Sequence, residues 1–106
     1  MMKTILEGFL DRVKDKSHVL EILPAYTIKC CLKSEEESSF FVLSRGRIEM
    51  VESVDSMDIK IEGPAHLISD LLTGSTKLTH EKIVFRGSFR QWLLVDSLLT
   101  LMKKAS

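Results

Sequence analysis

Residues 58–74, DIKIEGPAHLISDLLTG, change their hydrophobic period within two residues. Up to Gly63-Pro64 the apolar side chains alternate. Met57, Ile59 and Ile61 point one way and Asp58, Lys60 and Glu62 the other, which is the period of a strand. Beyond it, Leu67, Ile68, Leu71 and Leu72 recur on one stripe of a helix. Pro64 suits the first helical position, where its missing N–H costs little, and Gly74 suits the end. A strand that feeds directly into a short amphipathic helix commits both to one core, because the helix stripe has to lie on the apolar face of the sheet.

The same two periods organise the rest of the chain. Met2, Ile5, Leu6, Phe9, Leu10 and Val13 form one stripe of a helix over 2–16, with Lys3, Glu7, Asp11, Lys14 and Asp15 opposite. SHVLEILPAY leaves open whether Val19, Leu20, Ile22 and Leu23 make a helical turn before Pro24 stops it. From Tyr26 the period is two: Tyr26, Ile28, Cys30 and Leu32 face one way, Thr27, Lys29, Cys31 and Lys33 the other, as in a half-buried strand. SEEESS is a solvated hairpin tip. FFVLSRGRIEMVES reads as two strands about a turn at Arg45-Gly46, with Phe40, Phe41, Val42 and Leu43 apolar on both faces. KIVFRG, 82–87, is a further strand with Ile83 and Phe85 on one face. Ser88 N-caps a last helix, FRQWLLVDSLLTLMKK, whose Lys103 and Lys104 favour its dipole. This order predicts an α+β fold in one domain spanning 1–106: an about five-stranded, mainly antiparallel sheet covered on one face by helices.

Several function classes fall away. The 15 basic and 15 acidic residues mix along the chain, so there is no basic stripe for nucleic acid. His18, His66 and His80 have no second ligand at metal spacing, which predicts no metal. There is no G-x-S-x-G elbow, and Gly46 and Gly87 stand alone, so no phosphate cradle is expected. Cys30 and Cys31 are adjacent on a strand, which disfavours a disulfide between them, and neither has a histidine near in sequence. Neither an enzyme nor a cofactor is expected. Unpaired buried thiols suit a reducing compartment. MMKTILEGFLDRVKDK is broken by Glu7, Asp11 and Arg12 and lacks a signal-peptide core, and WLLV at 92–95 is far short of a membrane span. The expectation is a cytoplasmic protein without stable membrane insertion.

The last helix carries too much apolar surface for one sheet contact. Trp92, Leu94, Val95, Leu98, Leu99, Leu101 and Met102 cover about half its circumference, and Phe89 and Leu93 extend the patch. The surplus needs a second surface: the helix that follows Pro64, a partner chain or a hydrophobic ligand.

The run from Ser56 to Met102 resembles the C-terminal half of the sterol carrier protein 2 family. The family pattern is an aspartate-led strand with Ile and Gly, a helix ending Leu-Leu-x-Gly, a strand ending in Gly and an apolar C-terminal helix. Asp58, Ile61, Gly63, Leu71, Leu72, Gly74, Ile83, Gly87 and Leu98 match it, and residues 40–53 resemble its preceding hairpin. The chain departs at Gly87-Ser88, where the family has Gly-Asp, and in a shorter link between 74 and 82. The resemblance implies a five-stranded sheet and helices enclosing an apolar tunnel for sterols, fatty acyl chains or other lipids, with no catalytic residue. Leu67, Leu71 and Leu72 would roof that tunnel, Ile83 and Phe85 would face it, and Phe89, Trp92, Leu99 and Met102 would be wall or gate. Apart from the resemblance, Arg86 and Arg90 are candidates to meet a carboxylate at the mouth, against the favoured alternative that they are ordinary surface arginines. The rival reading is an interaction module whose last helix buries in a homodimer or larger partner over a side-chain-filled core.

Overall fold

The computed structural model describes residues 2–104; the side chains of Met2 and Lys104, placed above on the first stripe and at the basic helix end, lie outside the described set. The elements run α1 (Met2–Lys14), α2 (Ser17–Leu20), β1 (Ile28–Lys33), β2 (Ser38–Ser44), β3 (Arg47–Val51), β4 (Ile59–Glu62), α3 (Ala65–Thr73), β5 (Val84–Arg86) and α4 (Phe89–Lys104). The five strands form one mixed sheet in the order β3-β2-β1-β4-β5. This is the expected α+β architecture, with one change at its centre. β4 was expected antiparallel like its neighbours, but β1 and β4 pair in parallel, Cys30 beside Ile59 and Leu32 beside Ile61.

A parallel pair needs a long connection, and here residues 34–58 supply it by running out and back through β2 and β3. Its last part, residues 52–58, only has to carry the chain from β3 over to β4. β3 ends at Val51, opposite Phe40, which itself pairs with Cys31; β4 begins at Ile59, beside Cys30. The connection therefore steps sideways across two strands and does not have to return along them. Asp55, at its middle, accepts a 2.7 Å hydrogen bond from Lys29 Nζ. Lys29 alternates with the core-facing Ile28 and Cys30, so the connection passes on the face away from the helices.

The inner face carries Ile28, Cys30, Leu32, Phe41, Leu43, Ile48, Ile59 and Ile61, and against it pack Leu6, Phe9, Leu10 and Val13 of α1, Leu67, Ile68, Leu71 and Leu72 of α3 and Val95, Leu98 and Met102 of α4. The α1 and α3 stripes are buried as their spacing requires. Alternation misled at the strand ends. Tyr26 and Met57 were expected inside, but the ladders start at Ile28 and Ile59, and both side chains point into solvent at 69% and 48% exposure. Cys31, which alternates with Lys29 and Lys33 on the other face, is buried as well. The last strand shrinks to three residues, Val84–Arg86.

Pro64 takes the N-cap of α3, one position before the expected one, and contributes no side-chain cap. The cap comes instead from the acidic hairpin tip, where the Glu35 carboxylate accepts the Ala65 N–H at 3.2 Å across 30 positions of sequence. A carboxylate at a helix N-terminus meets an unpaired donor and the positive end of the dipole. At the other end Gly74 adopts φ 86°, and the Ser75 N–H reaches back to Asp70 O at 2.7 Å, closing the helix. Glu35→Ala should lower the free energy of unfolding by about 1 kcal/mol, whereas Glu36→Ala, one position along the same tip, should leave it unchanged; urea denaturation of the two variants measures the contrast.

Candidate functional site

The feature with binding potential lies between the sheet and α3 and α4. Cys30, Leu32, Phe41, Leu43, Ile59 and Ile61 form its floor, and Phe9, Leu71, Leu72, Val95, Leu98 and Leu99 close it from above. No charged or hydrogen-bonding side chain other than the Cys30 thiol lines it. Its volume is about 30 Å³, far below the roughly 300–1,000 Å³ of a typical small-molecule site. A larger space adjoins it. The end of α3, residues 74–78 and the later turns of α4 border a groove of about 460 Å³, where Leu71, Leu78 and Leu99 supply apolar surface and Lys77, Asp96, Thr100 and Lys103 polar surface. Leu71 and Leu99 line both spaces, so these two side chains form the partition between groove and interior.

Local sequence sets the position of α4. Ser88 Oγ accepts the Gln91 N–H at 3.1 Å, and Gln91 Oε1 accepts the Ser88 N–H at 2.8 Å. This reciprocal capping box confirms Ser88 as the cap and adds Gln91 to it. A side chain at Gly87 would meet Gln91 Oε1 at 2.9 Å and Asp58 O at 3.1 Å, so the glycine lets α4 start hard against β4. At its far end α4 lies close to Gly74, where a Cβ would sit 3.1 Å from Lys103 Cγ.

Of the residues expected to hold a ligand, Leu71, Leu72 and Leu99 border the interior space. Leu67, Ile83 and Met102 are buried in the same core, with Phe85 and Trp92 partly buried against it. Phe89 turns away from it at 74% exposure, its ring stacked on Trp92 with centroids 6.4 Å apart and planes 2° apart. Arg86 and Arg90 do not border the groove; its cations are Lys77 and Lys103. The floor residues and Phe9 were legible as core but not as lining, because periodicity gives the face of a residue and not its depth.

Burial dominates the chemistry of the two thiols. It pushes the Cys30 thiol up to about 12, with Asp58 and Cys31 acting the same way. Burial also raises Cys31, against the opposing pull of Lys60 and Lys33. A thiol held protonated is a poor nucleophile. His80 Nδ1 accepts the Lys82 N–H at 3.1 Å, a turn contact. Among the described residues no group of three His, Cys, Asp or Glu is placed to hold a metal, and no helix is long and apolar enough to cross a membrane.

Neither a protein-family model nor a curated protein matches the sequence. Solved structures do match. A ubiquinone synthesis protein described as UbiJ-SCP2 superimposes with a TM-score of 0.62 at 16% identity, covering 95% of this chain and 87% of that one. The sterol carrier protein domain 2 of Helicoverpa armigera gives 0.64 at 13% identity, over 97% and 85%. The fold is that of sterol carrier protein 2. A palmitated SCP2L2 from Aedes aegypti gives 0.57 at 11% identity, over 91% of this chain and 92% of that one. The likeness spans both halves of the chain, beyond the run Ser56–Met102 that carried the sequence resemblance, and at these identities it is a likeness of sterol carrier protein 2 fold alone.

In the unfolded chain Cys30 ionises near its ordinary 9.0, and in the fold near 12. The unfolded state therefore loses its proton first, and stability falls as pH rises from about 9 toward 12. Cys30→Ala should flatten that part of the stability–pH curve. Thiol titration with Ellman's reagent at pH 8 should find both cysteines unreactive until denaturant is added.

Proposed function

We propose that residues 1–106 act as a single non-catalytic domain that binds a hydrophobic ligand, such as a fatty acid, acyl thioester or sterol, between the sheet and α3 and α4. The supporting observation is the shared lining: Leu71 and Leu99 border both the outer groove and the all-apolar interior. Swinging these two side chains aside joins the spaces, so an acyl chain entering by the groove slides onto Leu72, Leu98 and Ile61. A carboxylate left at the groove would find the Lys77 ammonium there. The palmitated SCP2L2 of Aedes aegypti, which shares this fold, supports an apolar occupant. The proposed setting is the cytoplasm, in keeping with two unpaired cysteines.

The energetics allow it. Burying a methylene is worth roughly 0.8 kcal/mol, so a chain of about fourteen carbons offers on the order of 10 kcal/mol gross. Association costs of about 4–15 kcal/mol, together with the opening of α3 from α4, bring the net to weak or micromolar binding.

Trp92 is the only tryptophan and is partly buried against the core, so its emission reports the region directly. Palmitate should change that emission saturably and stabilise the fold by about 2.7 kcal/mol at a hundredfold excess over Kd. Leu99→Arg should remove both responses, because an unpaired guanidinium is costly to desolvate in the interior; circular dichroism establishes that the variant is folded. Unchanged emission and melting temperature across fatty acids, acyl thioesters and sterols would refute the reading.

A further inference from the structure

Among the described residues the sheet ends on an open edge at β3, which pairs with β2 and has no strand beyond it. Alternation across the sheet shows which of its backbone groups are free. Lys29 O and Lys33 O accept the N–H groups of Asp58 and Gly63, so these residues of β1 bond towards β4 and Ile28, Cys30 and Leu32 bond towards β2. Their partners Leu43, Phe41 and Ser39 are thereby committed to β1, and Ser44, Val42 and Phe40 bond Arg47, Glu49 and Val51. The N–H and C=O groups of Ile48 and Met50 therefore face outward, and among the described residues nothing takes them. An edge of this kind is a template for a further strand.

The edge also carries a charge pattern, because α1 runs beside it. A space of about 310 Å³ at the turn is bordered by Lys14, Arg45 and Arg47, and one of about 180 Å³ further along by Glu7 and Asp11; Lys14 and Glu49 border both. The strip is basic at the Arg45-Gly46 turn and acidic towards Met50. Lys14 Nζ lies 3.9 Å from Asp11 Oδ1, and Arg47 Nε lies 2.6 Å from Glu49 Oε1. Arg45 and Glu7 are exposed and have no ionic partner among the described residues.

We propose that this edge pairs antiparallel with the same edge of a second copy, about a two-fold axis at Ile48. A strip whose sign reverses along its length complements itself when turned end for end, as a two-fold axis does. Charge sets the register. An axis at Ile48 lets the free groups of Ile48 bond those of the partner's Ile48, and sets Arg47 against the partner's Glu49 in both directions. Arg47 uses Nε for its own Glu49, and its guanidinium has further donors for a second carboxylate. Arg45 comes towards the partner's Glu7 and the partner's Asp11. An axis at Glu49 would oppose two glutamates, and one at Met50 would set Arg47 against the partner's Ser53. An edge strand and one side of α1 make a small interface, so the pairing is reversible. β3 is the edge opposite β5, after which α4 starts, and the pairing stands whether or not the interior takes a lipid.

Sedimentation equilibrium of the full chain tests it. A dimer should form as protein concentration rises, and added salt should weaken it. Arg47→Glu or Glu49→Arg should each raise the dissociation constant roughly thirtyfold, because the axis repeats the change and replaces both attractive pairs with repulsive ones. Both side chains are exposed, so the circular dichroism spectrum and melting curve should hold. An equimolar mixture of the two variants should dimerise again, as should the doubly substituted chain, since each sets Glu opposite Arg once more. A chain that stays monomeric at millimolar concentration would overturn the proposal and leave the edge to a different partner. So would a dimer indifferent to both reversals, a mixture that stays monomeric, or a dimer dissolved by Phe89→Ser with Leu93→Ser on α4.

Discussion

The parallel ladder between β1 and β4 holds the two halves of this chain together. On one side lie α1, α2 and the β1-β2-β3 meander, each strand hydrogen-bonded to its sequence neighbour; on the other lie β4, α3, β5 and α4. The backbone bonds that join the halves run along the Cys30–Ile59 to Lys33–Glu62 pairing, continued by the Asp58 N–H on Lys29 O and the Gly63 N–H on Lys33 O. Around that seam the side-chain bonds are also cross-half: Glu35 caps α3, and Lys29 engages Asp55 and Asp58. Removing the ladder would leave α3 and α4 over two short strands with little apolar face to cover.

That seam also decides where a ligand has room. It aligns Cys30 and Leu32 with Ile59 and Ile61 into a continuous apolar floor, which gives the core its all-apolar lining beneath α3 and α4. The floor is bound into a ladder, whereas the roof is two helices that meet each other over a few side chains near Leu71, Leu99 and Gly74. Separating packed helices costs dispersion and burial but no backbone hydrogen bond. The roof is therefore the part that can yield to a chain-like apolar molecule, and the Leu71–Leu99 partition is where the groove already reaches the interior.

Much of this was legible in sequence because it is local. The stripes of α1 and α3, the Arg45-Gly46 hairpin, the Gly74 stop and the Ser88 cap are each fixed by residues within a few positions of one another. The non-local features were not. Nothing in the alternation of residues 59–62 distinguishes a parallel neighbour from an antiparallel one, and nothing in SEEESS marks Glu35 as the cap of a helix 30 positions away. Alternation also runs on past the last ladder bond, which put Tyr26 and Met57 inside when they lie at the sheet's end. At the site, the surplus apolar surface of the last helix was visible. Its division between the core side, Val95, Leu98 and Leu99, and the solvent side, Phe89 and Leu93, depends on how the helix is rotated over the sheet, and sequence spacing does not set that.

The account's central claim is that the interior between floor and roof admits an apolar chain. Methyl-detected NMR of the full chain during titration with palmitate tests it most directly, since isoleucine and leucine methyls lie on both sides of the space. Saturable shifts converging on Leu71, Leu72, Leu98, Leu99, Ile59 and Ile61, with contacts from the acyl chain to those methyls, are the expected result. Shifts confined to exposed side chains such as Leu93, or none at saturating palmitate, would contradict it.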